Sequence, residues 1–153
     1  MAKIFLMEDD PLMIRMYEKA FKLSGYEVET AFDGEEGLTK LKAAEPKPTL
    51  ILLDIMMPKL SGFDVLKEIK KSQELKNIPV IALTNLAGQA DAEKALELGA
   101  VLYLVKSQYD PQEVVNKIKE VISGYTRKDN VPEVKVRVKE LKEEDKPKRK
   151  AKN

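Results

Sequence analysis

A doubly wound α/β sheet of five parallel strands is the fold that the sequence predicts, on three observations. Short apolar runs alternate with segments of helical period along residues 3–122. Proline and glycine punctuate the boundaries, and four of the five runs are followed directly by a polar residue. Right-handed crossovers, and too few units for an eight-fold barrel, favour an open sheet in the order 2-1-3-4-5.

The elements follow in turn. Lys3 to Met7 is the first strand, and Asp10-Pro11 supplies a capping oxygen and a proline at the first helical position. Leu12, Met16, Ala20 and Leu23 recur three and four apart, the apolar stripe expected of the first helix, which Gly25 stops. Tyr26 to Ala31 is the second strand, and Asp33 with Glu36 forms a capping box for the helix after it. Thr49 to Leu53 and Pro79 to Leu83 are strands three and four, with Gly99 ending the fourth helix. Val101 to Val105 is strand five. Asp110-Pro111 then opens a last helix in which Val114, Ile118 and Val121 share a face.

At 153 residues, 43% hydrophobic and 35% charged, the chain has the material for one domain with a packed core. Cysteine and histidine are absent. That excludes disulfides, thiolate or imidazole metal sites, and His-based nucleophilic systems. Apolar runs such as Thr49 to Leu53 are far too short to span a membrane, and the amphipathic start is no leader, so a soluble cytoplasmic protein is expected. Residues 125–153 hold 11 Lys/Arg against 6 Asp/Glu, while residues 1–124 hold 16 against 20. The expected organisation is an acidic domain over 1–124 and a basic, disordered tail over 125–153. Val131 to Val138 alternates valine with charge and is the one strand-like stretch there.

In open parallel sheets, function sits at the carboxyl ends of the strands. Strand one ends in Glu8, Asp9 and Asp10, strand three in Asp54, strand four in Thr84 and strand five in Lys106. Strands one and three are neighbours in this order, so their acids converge on one crevice. Clustered carboxylates repel unless a hard cation joins them, and Mg²⁺ binds through a few carboxylates, waters and phosphate oxygens. Asp10 is taken up as the helix cap, which leaves Glu8 and Asp9 to face the metal. Lys106 and the Thr84 hydroxyl then supply donors for phosphoryl oxygens, and a carboxylate supplies the nucleophile.

The pieces "FLMEDDPLMIRM", "LILLDIMMPKLSGFDVL", "VIALTN" and "GAVLYLVK" together resemble the response-regulator receiver domains, the CheY-like modules of two-component signalling. That family has the flavodoxin-like (βα)5 fold, so its strand order and the one above are a single expectation. The resemblance implies that Asp54 accepts a phosphoryl group from a histidine kinase or a histidine phosphotransfer protein. It implies Mg²⁺ held by Asp9 directly, by Glu8 through water, and by Asp54 with the backbone carbonyl of Met56. Thr84 and Tyr103 look like the switch pair, Lys106 like the phosphate-pairing lysine, and Pro58 and Gly62 like the turn after the acceptor strand. Two residues depart from the pattern: Ser107 replaces the proline after the lysine, and Asn85 replaces a small residue after the threonine.

The expected function is therefore a single-domain response regulator. Its output is a downstream protein docking on the surface of the fourth helix, fifth strand and fifth helix, roughly Gln89 to Gly124. It is not an enzyme beyond catalysing its own Mg-dependent phosphorylation and dephosphorylation, and neither a membrane nor nucleic acid is expected among its partners. The alternative is a receiver-like interaction module that works without phosphorylation. Met56, two residues past the acceptor, and Leu86 are expected to wall the site with apolar groups and to prolong the phosphorylated state.

Overall fold

Strand pairing in the computed structural model, which describes residues 2–124, gives one five-stranded parallel sheet in the order β2-β1-β3-β4-β5. In chain order the elements are β1 (Lys3–Met7), α1 (Pro11–Leu23), β2 (Glu27–Ala31), α2 (Gly34–Ala43), β3 (Leu50–Leu53) and α3 (Gly62–Lys71). There follow β4 (Val80–Thr84), α4 (Gln89–Glu97), β5 (Leu102–Val105), a 3₁₀ turn (Lys106–Gln108) and α5 (Pro111–Gly124). Residues 125–153, where the sequence suggests a disordered tail, lie outside the described residues.

Side chains alternate across a strand, so a sheet covered on both faces needs two cores. Phe5 and Met7 of β1 join Ile51 and Leu53 of β3 in one core, closed by Leu38 and Leu41 of α2, Val65 and Leu66 of α3 and Ala92 and Ala95 of α4. Ile4 and Leu6 join Leu50 and Leu52 in the other, closed by Tyr17 and Phe21 of α1 and Val114 and Ile118 of α5. Helices α1 and α5 thus cover one face and α2, α3 and α4 the opposite one.

Helix α1 forms where its apolar period predicts one, but a second stripe is the one turned inward. Its stripe of Leu12, Met16 and Leu23 faces outward, at 68%, 41% and 78% exposure, while Ile14, Tyr17 and Phe21 are buried. Both stripes have helical spacing, but the inner one carries two aromatic rings stacked at 5.8 Å. Aromatic side chains remove the most apolar area from water, about 150–250 Å² each, and that decides which face turns in.

Boundaries shift by one residue for identifiable reasons. Tyr26 N bonds back to Phe21 O at 3.1 Å at the end of α1, which withholds it from β2. Pro79 has no N–H, although its carbonyl accepts from Ile51 N at 3.0 Å, so β4 begins at Val80 and runs through Thr84. The caps form as expected at Asp10, whose Oδ1 accepts from Leu12 N at 3.0 Å, and at Asp33, whose Oδ1 accepts from Glu36 N at 2.8 Å. Glu36 returns its bond to Phe32 N rather than to Asp33 N. The reciprocal capping box lies instead at Asp110 and Glu113, with both bonds at 2.8 Å. Gly25 and Gly99 take φ of 93° and 116°, the left-handed conformation that ends a helix. Among the described residues the one cis peptide is Glu45-Pro46, so Lys106-Ser107 is trans and leads into the 3₁₀ turn.

Candidate functional site

Register places the acids. Met7 pairs with Ala31 on one side and Leu53 on the other, so the residues that follow these three strands emerge side by side at one rim. Asp54 N donates to Met7 O at 3.1 Å and Glu8 N to Ala31 O at 3.0 Å, which extends the ladder one step and anchors both backbones. Glu8 and Asp54 are buried at 1% and 5% exposure, whereas Asp9 is exposed. One carboxylate oxygen from each of Glu8, Asp9 and Asp54 lies within 4.8 Å of the others.

Lys106, from the far side of the sheet, reaches into this cluster. Its Nζ stands 2.6 Å from Glu8 Oε1 and 3.0 Å from Asp54 Oδ2. The remaining oxygens are also used: Glu8 Oε2 accepts from Asp10 N at 3.1 Å and Asp54 Oδ1 from Met56 N at 3.0 Å. Burial pushes the Glu8 carboxyl above its ordinary value, more than the hydrogen bond and charge of Lys106 and the Asp10 N–H pull it down. Burial works against the Lys106 ammonium, but the bond to Glu8 and the charge of Asp54 outweigh it and hold that lysine above its usual range. The lysine therefore stays charged. Three carboxylates against one ammonium leave a formal charge of −2, presented through oxygen atoms with one member open to water. That donor set fits a hard divalent cation which keeps several waters.

Of the residues singled out in the sequence, Glu8, Asp9, Asp54 and Lys106 are brought together here. Asp10 is held as the α1 cap. Thr84, fully buried at the end of β4, bonds locally instead, its Oγ1 accepting from Leu86 N at 3.4 Å. Tyr103 is also fully buried, and its hydroxyl donates to Leu86 O at 2.9 Å. Burial, followed by the charges of Asp91 and Asp54, raises that phenol far above its ordinary value. Leu86 thus links Thr84 and Tyr103 through its backbone, a role its apolar side chain gave no sign of. Tyr17 also escaped the sequence reading. Burial pushes its phenol up to about 12, with the charges of Lys106, Glu8 and Asp54 all felt at the ring.

The turn after β3 is tight. Leu60 N bonds to Pro58 O at 2.8 Å across Lys59, which takes φ of 69°. Gly62 N then donates to Ile55 O at 2.8 Å, and a Cβ at Gly62 would stand 2.5 Å from Asp54 O and from Ile55 Cα. Only glycine lets α3 start this close to the end of β3.

Comparison with known proteins bears on the same region. A family model described as the response regulator receiver domain matches residues 4–119. The probable transcriptional regulator ycf27 of Cyanophora paradoxa is 41% identical over 120 residues, 78% of this chain and 48% of that protein. The alkaline phosphatase synthesis transcriptional regulatory protein PhoP of Bacillus subtilis is 37% identical over 120 residues, again 78% and 48%. The chain spans about half the length of these relatives. Among solved structures, the chemotaxis response regulator CheY4 of Vibrio cholerae is similar at TM-score 0.73 and 30% identity, over 79% of this chain and 98% of that one. The Mn²⁺-bound form of response regulator Rcp1 is similar at TM-score 0.69 and 31% identity, over 86% and 99%.

Proposed function

The chain belongs to the response regulator receiver domain family, and from that premise we propose that Asp54 accepts a phosphoryl group from the phosphohistidine of a sensor kinase or phosphotransfer protein. The observation that carries this reading is the position of Lys106 Nζ, shared between Glu8 and Asp54 with Asp9 beside them. In the transfer, a carboxylate oxygen of Asp54 bonds to phosphorus, the phosphorus–nitrogen bond of the donor breaks, and the imidazole leaves. Lys106 pairs with the incoming phosphoryl oxygens, which compete with Glu8 for its ammonium.

Glu8, Asp9, Asp54 and the Met56 carbonyl are the ligands proposed for Mg²⁺, a choice supported by their oxygen-only chemistry and by the Mn²⁺-bound relative Rcp1. When bound, the ion neutralises charge that develops on the phosphoryl oxygens. Phosphorylation adds about −1.5 to −2 charges for ordinary phosphorylated side chains, enough to draw the Thr84 hydroxyl toward the new oxygens. Because Leu86 is bonded to both Thr84 and Tyr103, movement of the first repositions the second. We assign the output to a partner protein docking on the α4-β5-α5 surface. No helix among the described residues is long and apolar enough to cross a membrane, and a cytoplasmic kinase–regulator pair is the setting this reading requires.

Incubation with acetyl phosphate and Mg²⁺, followed by intact mass measurement, tests the assignment. One phosphoryl group is expected on the wild type, none on Asp54→Ala, and none when EDTA is present. Labelling of Asp54→Ala, or labelling indifferent to EDTA, removes Asp54 or the metal from the mechanism. A wild type that takes no label at all leaves the phosphorylation-independent docking module.

A further inference from the structure

The proposed transfer gives no role to the side chain of Met56, which stands two residues beyond the acceptor. Met56 is 55% exposed, yet its backbone N–H donates to Asp54 Oδ1 at 3.0 Å. Its root is fixed on both sides, by Asp54 N on Met7 O at 3.1 Å and by Gly62 N on Ile55 O at 2.8 Å. Met7 is fully buried and Met57 is packed against the same core. Met13 is packed against the opposite core, and Met16, at 41%, stands on the outer face of α1. Among the described residues Met56 is therefore the most exposed methionine, and it is rooted at the acceptor. The chain has no cysteine, so no thiol competes with it for an oxidant.

A thioether is only a weak hydrogen-bond acceptor and gives a water near phospho-Asp54 little to bind. Peroxide changes its chemistry. The sulfur lone pair attacks a peroxide oxygen, the O–O bond breaks, the sulfoxide forms and water leaves; sulfur loses two electrons and the peroxide gains them. The product is polar and carries a strong acceptor oxygen. We infer that Met56 is a peroxide-sensitive modification site, and that its sulfoxide shortens the life of phospho-Asp54 by holding a hydrolytic water beside the phosphoryl group. This inference rests on the reading of Asp54 as the phosphoacceptor.

The test uses the full chain. Titration with hydrogen peroxide and peptide mass mapping should show sulfoxide at Met56 before Met16, and well before Met7, Met13 and Met57. Protein oxidised at Met56 is then labelled with acetyl phosphate and Mg²⁺, the donor is removed, and loss of label is followed. Decay roughly tenfold faster than in the reduced protein is expected, with the slow rate restored by methionine sulfoxide reductases. Met56→Leu should decay at one rate with or without peroxide, while Met16→Leu keeps the wild-type response. The inference is overturned if Met56 oxidises no faster than Met57, if its oxidation leaves decay unchanged or slows it, or if Met56→Leu still responds. Failure of the reduced protein to take any label overturns the phosphoacceptor reading and the lifetime claim with it, and the mass map still reports on oxidation independently.

Discussion

Lys106 holds two buried carboxylates in place, and removing it shows what the cluster costs. The side chain is 8% exposed and bonded to both Glu8 and Asp54. Lys106→Met keeps the stem and deletes the charge, which leaves buried anions without their cation; breaking a buried pair this way typically costs about 3–5 kcal/mol. Uptake of a proton by Glu8 relieves part of that cost, most at low pH and least at pH 8. Glu8 already titrates above its ordinary value because of burial, and loss of the ammonium raises it further. A carboxyl raised in the folded state contributes stability below its unfolded pKa and loses it as pH rises through the folded one. The deficit of Lys106→Met relative to wild type should therefore grow from pH 5 to pH 8, as chemical denaturation would measure. Equal deficits at both pH values would mean that Glu8 does not carry the cost.

At the scale of the element, α1 separates what a period can tell from what it cannot. The spacing of Leu12, Met16, Ala20 and Leu23 correctly announces a helix, yet three of these residues face solvent. A second stripe, Ile14, Tyr17 and Phe21, has helical spacing too, and area rather than period chooses between them. Phe21→Ala should cost about 3–5 kcal/mol. The triple replacement of Leu12, Met16 and Leu23 by Gln should cost at most about 1.5 kcal/mol in all, since exposed substitutions stay within ~0.5 kcal/mol each. The outer stripe begins two residues beyond Asp10, at the rim of the acid cluster, and is bordered by exposed Arg15, Lys19 and Lys22. The same triple variant should accept phosphoryl groups from acetyl phosphate at the wild-type rate and more slowly from a phosphohistidine protein that must dock. Wild-type rates from both donors would remove this face from the encounter. The other elements were legible for the opposite reason. β3 and β4 are buried along their whole length, so their apolar runs admit one reading, and the caps at Asp10, Asp33 and Asp110 depend on local bonds that sequence shows directly.

For the whole molecule, the candidate site was legible wherever a polar residue directly follows a buried strand, because the sheet itself carries it to the rim. That holds for Glu8, Asp54 and Lys106. It fails for Leu86, which acts through backbone atoms. Charge is the remaining global property. Residues 1–124 carry 16 basic and 20 acidic side chains, and residues 125–153 carry 11 and 6. Both cores are closed within the described residues, with α5 already burying Val114, Val115, Ile118 and Val121. We therefore expect a version of the chain ending at Gly124 to keep its melting temperature within about 2 °C and to take label from acetyl phosphate. It changes sign, however, from a net +1 to a net −4. An anionic donor meets a more repulsive field in the shorter chain, and the field is screened beyond about 30 Å at 0.01 M salt but beyond about 3 Å at 1 M. Labelling of the full chain should accordingly be faster at 0.01 M ionic strength, with the gap closing as salt is added. A gap that persists at high salt would mean that residues 125–153 act on the site by contact rather than by field, and a fall of several degrees on truncation would mean that they belong to the fold.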